Sequence, residues 1–192
     1  MGSLPVSPAK KKARAEEAVI VFEDEASFRQ TPTTHQTWAR LGCQPQVPTR
    51  GERHTQKVFG AVAVARARFA YRHQSEYFAH DSYVAFLEEV VLPRFYRRGH
   101  RVYLIQDNAS YHKHTDTYVW FAQQRRRMEV FQLPPYCPEL NATERFWHHT
   151  RMRATHNRYF ESPEQLRDTL LHTFEEMAQR PSQISNRLAP FL

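Results

Sequence analysis

Two short runs of β-branched and aromatic residues, AVIVF and RVYLI, each give way at once to acids, and this pattern restricts the fold most. Val19 to Phe22 shows no polar alternation, so it predicts a strand buried on both faces, at the centre of a sheet, with Asp24 at its end. RVYLIQD, residues 101 to 107, predicts a second central strand, which also ends in an aspartate, Asp107. Strands buried on both sides need helices above and below them.

The rest of the chain can supply those layers. KVFGAVAVARARFAYR, residues 57 to 72, predicts one long strand or a hairpin bending near Ala65 to Arg68. TWARLG and QPQVP, within residues 37 to 48, read as a short strand and a turn. Asp81 or Ser82 is placed to cap a helix running to about Arg98, with Tyr83, Phe86, Leu87, Val90 and Val91 inward. A helix near 115 to 126, the strand MEVFQL, a helix over about 142 to 154 and a last helix over about 163 to 179 follow. Consecutive strands, then alternating helix and strand, then helices predict an α/β fold: a mixed sheet flanked by helices on both faces. Residues 1 to 17, MGSLPVSPAKKKARAEE, are poor in apolar side chains and predict a flexible segment. Residues 18 to 180 are then one domain, and 181 to 192 a C-terminal tail.

Composition narrows the partners. At 192 residues and 41% hydrophobic, the chain can bury a real core. No apolar run approaches the roughly 18 residues of a spanning helix, and no apolar leader opens the sequence, so a cytoplasmic chain with no membrane partner is expected. Cys43 and Cys137 are read as free thiols. A net charge of +7 points to a polyanionic partner, most often nucleic acid. The KKKAR cluster fits a solvated charge run or a backbone contact.

Three acids stand in comparable settings: Asp24 and Asp107 after core strands, and Glu144 in the first turn of a helix behind the stiff stretch LPPYCPELN. Carboxylates gathered at strand ends would repel one another and be driven to protonate. A divalent cation relieves that repulsion, and an oxygen-only ligand set suits Mg²⁺ or Mn²⁺. Two such ions about 3.5–4 Å apart form a clamp for in-line displacement at phosphorus. The bland readings stay beside this one. Acids at strand ends are commonly just solvated, and Asn141 with Glu144 also fits a capping box. Glu23 and Glu25 are alternative ligands, with Asp24 preferred by its place in the strand.

FEDEASF, WARLGCQPQVP, VFGAVAV, LIQDNASYHK and LPPYCPELNATERFWHHTR resemble, in order and spacing, the catalytic domain of DDE transposases of the mariner-like superfamily, in its bacterial insertion-sequence branch. The resemblance covers roughly residues 19 to 155. It implies an RNase H-like fold with Asp24, Asp107 and Glu144 as first, second and third catalytic and metal-binding acids. Thirty-six residues, 108 to 143, stand between Asp107 and Glu144. The implied activity is metal-dependent DNA cleavage and strand transfer with two Mg²⁺ or Mn²⁺ ions. Water first attacks at the element's ends, and the freed 3′-hydroxyl then attacks target DNA, typically at TA. Transposon ends and target DNA are the implied partners, with a homodimer in the DNA complex. Helix-turn-helix domains usually precede such a domain, so a separate chain or a missing N-terminal part is expected to supply them. Cys137 stands where the family usually has Ser, and Ala142-Thr143 where it has Pro-hydrophobic. Neither position is a ligand. The competing readings are an inactive DNA-binding remnant and a same-fold nuclease that cleaves without joining.

Supporting positions follow. Asn108, His112 and Lys113 after Asp107, Arg145 and Arg151 after Glu144, and Arg40 beside Trp38 in the expected strand are candidate DNA contacts. His112 could instead orient an acid. Phe146 and Trp147 read as core, and Arg125 to Arg127 as a helix end favoured by the dipole. The HxH at 112 to 114 and HH at 148 to 149 lack the further ligands of a zinc site.

Overall fold

β1 (Val19–Arg29) has a different neighbour on each edge, and this organises the sheet. On one edge it runs antiparallel to β2 (Thr55–Ala63), which turns back into β3 (Arg68–Gln74). On the other it runs parallel to β4 (Val102–Gln106), itself parallel to β5 (Met128–Gln132). The five strands lie in the order β3-β2-β1-β4-β5 in this computed structural model, which describes residues 6–49, 51, 53–74 and 77–191. The expected α/β architecture, a mixed sheet with helices on both faces, is therefore present.

Strand alternation sends successive side chains to opposite layers. Phe22 and Phe28 join a core with Phe146 and Trp147 of α5 (Ala142–Thr150) and Leu170 and Phe174 of α6 (Pro163–Gln179). Val21, with Phe59 of β2, faces the other layer: α2 (His80–Phe86), a π-helical turn over Leu87–Val91, α3 (Leu92–Phe95) and α4 (Thr115–Gln124). Tyr83, Phe86, Leu87 and Val91 are buried as expected. The helix stops at Phe95, short of Arg98. Pro93 has no N–H to give the preceding turn, and a π turn closed by Leu92 N–H on the Leu87 carbonyl stands just before it. Its N-cap is Ala79, not Asp81 or Ser82. The Ser82 hydroxyl accepts from the Ala79 N–H at 3.0 Å, because Ser82 sits at the third helical position.

Several expectations are corrected. The hairpin alternative holds for residues 57 to 72, with a 3₁₀ turn over Val64–Arg66 and Ala67 left-handed at φ 46°. Residues 37–48 form no strand: Trp38 and Leu41 are fully exposed, so nothing pairs or buries them. At the N-terminus, where composition predicts a flexible segment, α1 (Val6–Ala15) forms, because Ala9 and Ala13, one turn apart, bury against the domain. Lys12 ties it to Glu129 of β5 at 2.6 Å. The expected tail holds α7 (Ser182–Leu188), whose Ile184 and Leu188 join the core.

Candidate active site

Asp24 does not end its strand. The parallel pairing with β4 stops at Phe22↔Ile105, while the antiparallel pairing with β2 runs on to Arg29, with Asp24 opposite Gly60. Asp24 thus stands where β4 has run out and a cleft opens beside an intact strand. Its side chain points to the α5 layer, and Trp147 Nε1–H donates to its Oδ2 at 3.2 Å.

The proline-rich stretch aims α5 at this point. Leu133 N–H bonds the Gln106 carbonyl at 2.8 Å, and the Asn108 amide donates to the Leu133 carbonyl, so the ends of β4 and β5 are tied together. After Tyr136, left-handed at φ 58°, and a 3₁₀ turn over Pro138–Leu140, Asn141 caps α5 by accepting from Thr143 N–H at 3.2 Å. The Asn141 amide also donates to the Glu23 carbonyl at 3.3 Å, which fixes the helix start to β1. Asn141 therefore caps the helix, but through Thr143 at its second position and not through Glu144 as the expected capping box requires, and Glu144 faces the cleft. Asp24, Asp107 and Glu144 line one cleft of about 460 Å³, together with Asn108, Lys113 and the proline segment.

The charges are unevenly held. Burial, then repulsion from Glu25, Glu144 and Asp107, pushes the Asp24 carboxyl well above the usual carboxylate range. Asp107 has its side chain half exposed, and a hydrogen bond from His112 holds it below that range, with Ala109 N–H adding a second at 2.8 Å. His112 is fully buried behind the cleft, so the ring is not offered to DNA as expected and faces two acids instead. Its Nδ1 lies 3.3 Å from Asp107 Oδ1 and its Nε2 3.1 Å from Glu25 Oε1. Burial opposes charge on this ring, but the hydrogen bonds it donates to Asp107 and Glu25 outweigh it and raise the pKa to about 9. Glu23 and Glu25 project from the opposite face of β1 to Asp24, toward His112. Burial, then Glu25, Asp24 and Asp107, pushes Glu23 well up as well.

These shifts fix a sign. For His112, Asp24 and Glu23 the folded pKa lies above the unfolded one. The stability they contribute is full below the unfolded values and is lost as pH rises through the folded ones. Asp107 has the opposite sign and acts only at the acid end. The metal-free protein should therefore lose stability between about pH 6.5 and pH 9, the range over which His112 titrates. The loss is on the order of 2–3 kcal/mol, or roughly 5–10 °C in Tm. Thermal melts across that range check it, and Mn²⁺ should raise Tm most at the alkaline end.

Arg145 lies over the Phe191 ring at 5.7 Å and Arg151 over Phe28 at 5.4 Å, so neither guanidinium lines the cleft. Arg40 is exposed in the irregular segment and does not line it. Two positions at the cleft are not legible in the sequence. Tyr136 lines the cleft mouth fully exposed, and its only signal is its place among prolines. Trp147 is core, as expected, but also holds Asp24; the signal was Gly60, a lone strand glycine marking a close approach. Among the other histidines, His80 and His114 stack at 3.9 Å and 15°, with His80 Nε2 3.7 Å and His114 Nδ1 3.5 Å from Asp116 Oδ2, and His114 Nδ1 also caps α4 by accepting from Asp116 N–H.

The carboxylate-only donor set of the cleft, with Asp24 under unrelieved repulsion, fits a hard divalent cation. A family described as "DDE superfamily endonuclease" matches residues 19–167. The Insertion element IS630 uncharacterized 39 kDa protein of Shigella sonnei is 26% identical over 162 residues, covering 84% of this chain and 46% of that protein. The chain thus spans about half the length of this curated relative. The catalytic domain of Mos1 mariner transposase superposes with a TM-score of 0.58 at 15% identity, over 96% of this chain and 85% of that one. The Mos1 mariner paired end complex with Mn gives a TM-score of 0.63 at 16% identity, over 96% and 58%. Among the described residues, no helix is long and apolar enough to cross a membrane.

Proposed function

The chain belongs to the DDE superfamily endonuclease family, and from that premise we propose that it is the catalytic domain of a transposase that cuts DNA at an element's ends and joins them to target DNA. The observation that carries this reading is the cleft itself: three carboxylates from β1, the end of β4 and α5 line it, and the ionised form of Asp24 carries an electrostatic cost there that a bound cation would offset.

Asp24, Asp107 and Glu144 would hold two divalent ions, Mg²⁺ or Mn²⁺, which when bound supply the electrophilic clamp for in-line displacement at phosphorus. The chain's own groups do the rest. His112 keeps Asp107 charged and turned to the cleft, and Trp147 fixes Asp24. The Asn141 bond to β1 sets the reach of Glu144. Lys113 and Asn108 stand at the wall, where a phosphate oxygen would lie. In the first step a water oxygen bonds to phosphorus, the bond to the 3′-oxygen breaks, and that oxygen leaves as a hydroxyl. In the second, the 3′-hydroxyl oxygen attacks a target phosphodiester, losing its proton as the target's own 3′-oxygen leaves. Two copies of the chain pair two element ends.

Nicking of supercoiled plasmid with Mn²⁺ or Mg²⁺ tests the reading. Conversion to the open circle should require the ion and disappear in Asp107→Ala. Ion-independent nicking, or nicking that survives the substitution, would sink it. Joining of a labelled pre-cut end into plasmid separates a transposase from a nuclease that only cleaves.

A further inference from the structure

A second cleft, of about 550 Å³, opens at the other end of the sheet from the acids, where β1 begins and β2 ends. Ile20 in its wall lies four residues before Asp24, roughly 13 Å along the strand. Lys10, Arg14, Arg66, Arg68, Arg97 and His100 surround it, against a single carboxylate, Glu17. Glu17 is already engaged: its Oε2 lies 3.8 Å from His100 Nδ1, and its carbonyl is 3.0 Å from the same nitrogen. Arg14, Arg66 and Arg97 make no ion pair among the described residues.

We propose that this cleft binds the phosphate backbone of duplex DNA, at a place separate from the segment being cut. A solvated charge run would not produce it. The cations come from α1, the 3₁₀ turn, β3 and the end of α3, which the fold brings together around one opening. Arg68 is held in place, donating to the Arg94 carbonyl and lying 5.5 Å over the Phe95 ring. Like charges concentrated this way repel within a screening length of about 8 Å. Consistent with that, burial and then Arg94, Arg97 and Arg66 lower the Arg68 pKa, and burial and then Arg14 lower that of Lys10. The cations stand on separate elements around a cleft whose remaining lining is mostly apolar, which suits an extended polyanion lying across them better than a compact anion held within. Duplex DNA is favoured because the inference rests on the reading that the chain acts on DNA.

The test is fluorescence anisotropy with a short labelled duplex, in EDTA and across a salt series. Arg66→Ala/Arg97→Ala is compared with Arg125→Ala/Arg126→Ala, which removes equal charge from an exposed helix end. The cleft pair should bind about tenfold more weakly, with a log–log salt slope shallower by roughly 2, and the control pair should bind as the parent does. Equal losses in both pairs, or none in either, would overturn the proposal. So would poly-glutamate competing as well as duplex, which would mark an acidic-peptide site. Unchanged melting temperatures exclude misfolding. Because EDTA removes cleavage from the assay, a failure of the nicking test and a failure of this one are separately visible.

Discussion

Asp24→Asn should lower metal-dependent cleavage by at least about 10³-fold and yet make the metal-free protein more stable, by roughly 1–2 kcal/mol at pH 8. The two effects have one cause. Asp24 is 8% exposed and feels Glu25, Glu144 and Asp107, so its ionised form is disfavoured in the fold. An amide keeps the shape and still accepts from Trp147 Nε1–H, while removing the buried charge. It also removes a strong ligand oxygen from the donor set, and a rate loss of 10³ corresponds to about 4 kcal/mol of transition-state stabilisation. Tm should rise by about 2–8 °C without metal, and the Mn²⁺-induced rise should shrink. A variant that is inactive and also less stable would show that Asp24 serves the fold, not the cation.

Gly60→Ala should destabilise the protein by about 1–3 kcal/mol and impair the site together with the core. Gly60 lies opposite Asp24 in the register, and the Trp147 indole fills the space that a side chain would take. A Cβ there would stand 2.4 Å from Cη2 and 2.5 Å from Cζ2 of Trp147. The indole cannot swing away: it is 1% exposed, with Phe28, Phe69, Phe146 and Phe174 packed around it at 5.3–6.3 Å between ring centroids. Any shift of the indole also moves the donor on Asp24. Tm should fall by roughly 2–12 °C. Adding Trp147→Phe should relieve part of the clash, so the double variant loses less than the sum of the two single ones. Strict additivity would mean that the two residues do not meet as described.

Much of this was legible locally. RVYLIQ is β4 and its neighbour, MEVFQ is β5, and PEQLRDTLLHTFEEMAQ is α6, because a buried run or a capped amphipathic stretch writes its own element. Asn141 capped α5 as its residue type predicts. The segments that misled are those whose state depends on distant partners. Ala9 and Ala13 look unremarkable until the domain covers them. TWARLG has strand-forming residues, but no strand edge among the described residues receives it.

The sequence by itself determined which chemistry is available: acids behind apolar strands, a proline-stiffened approach to Glu144 and an excess of positive charge. Those properties depend on residue type and short spacing. Only the tertiary structure decided which acids share a cleft. Three consecutive acids, Glu23, Asp24 and Glu25, alternate across one strand, and alternation alone does not say which face meets which helix. Packing α5 on one side and His112 on the other made that choice. The early end of β4 then opened the cleft beside Asp24, because a strand's neighbours lie far away in the chain and their lengths are set independently.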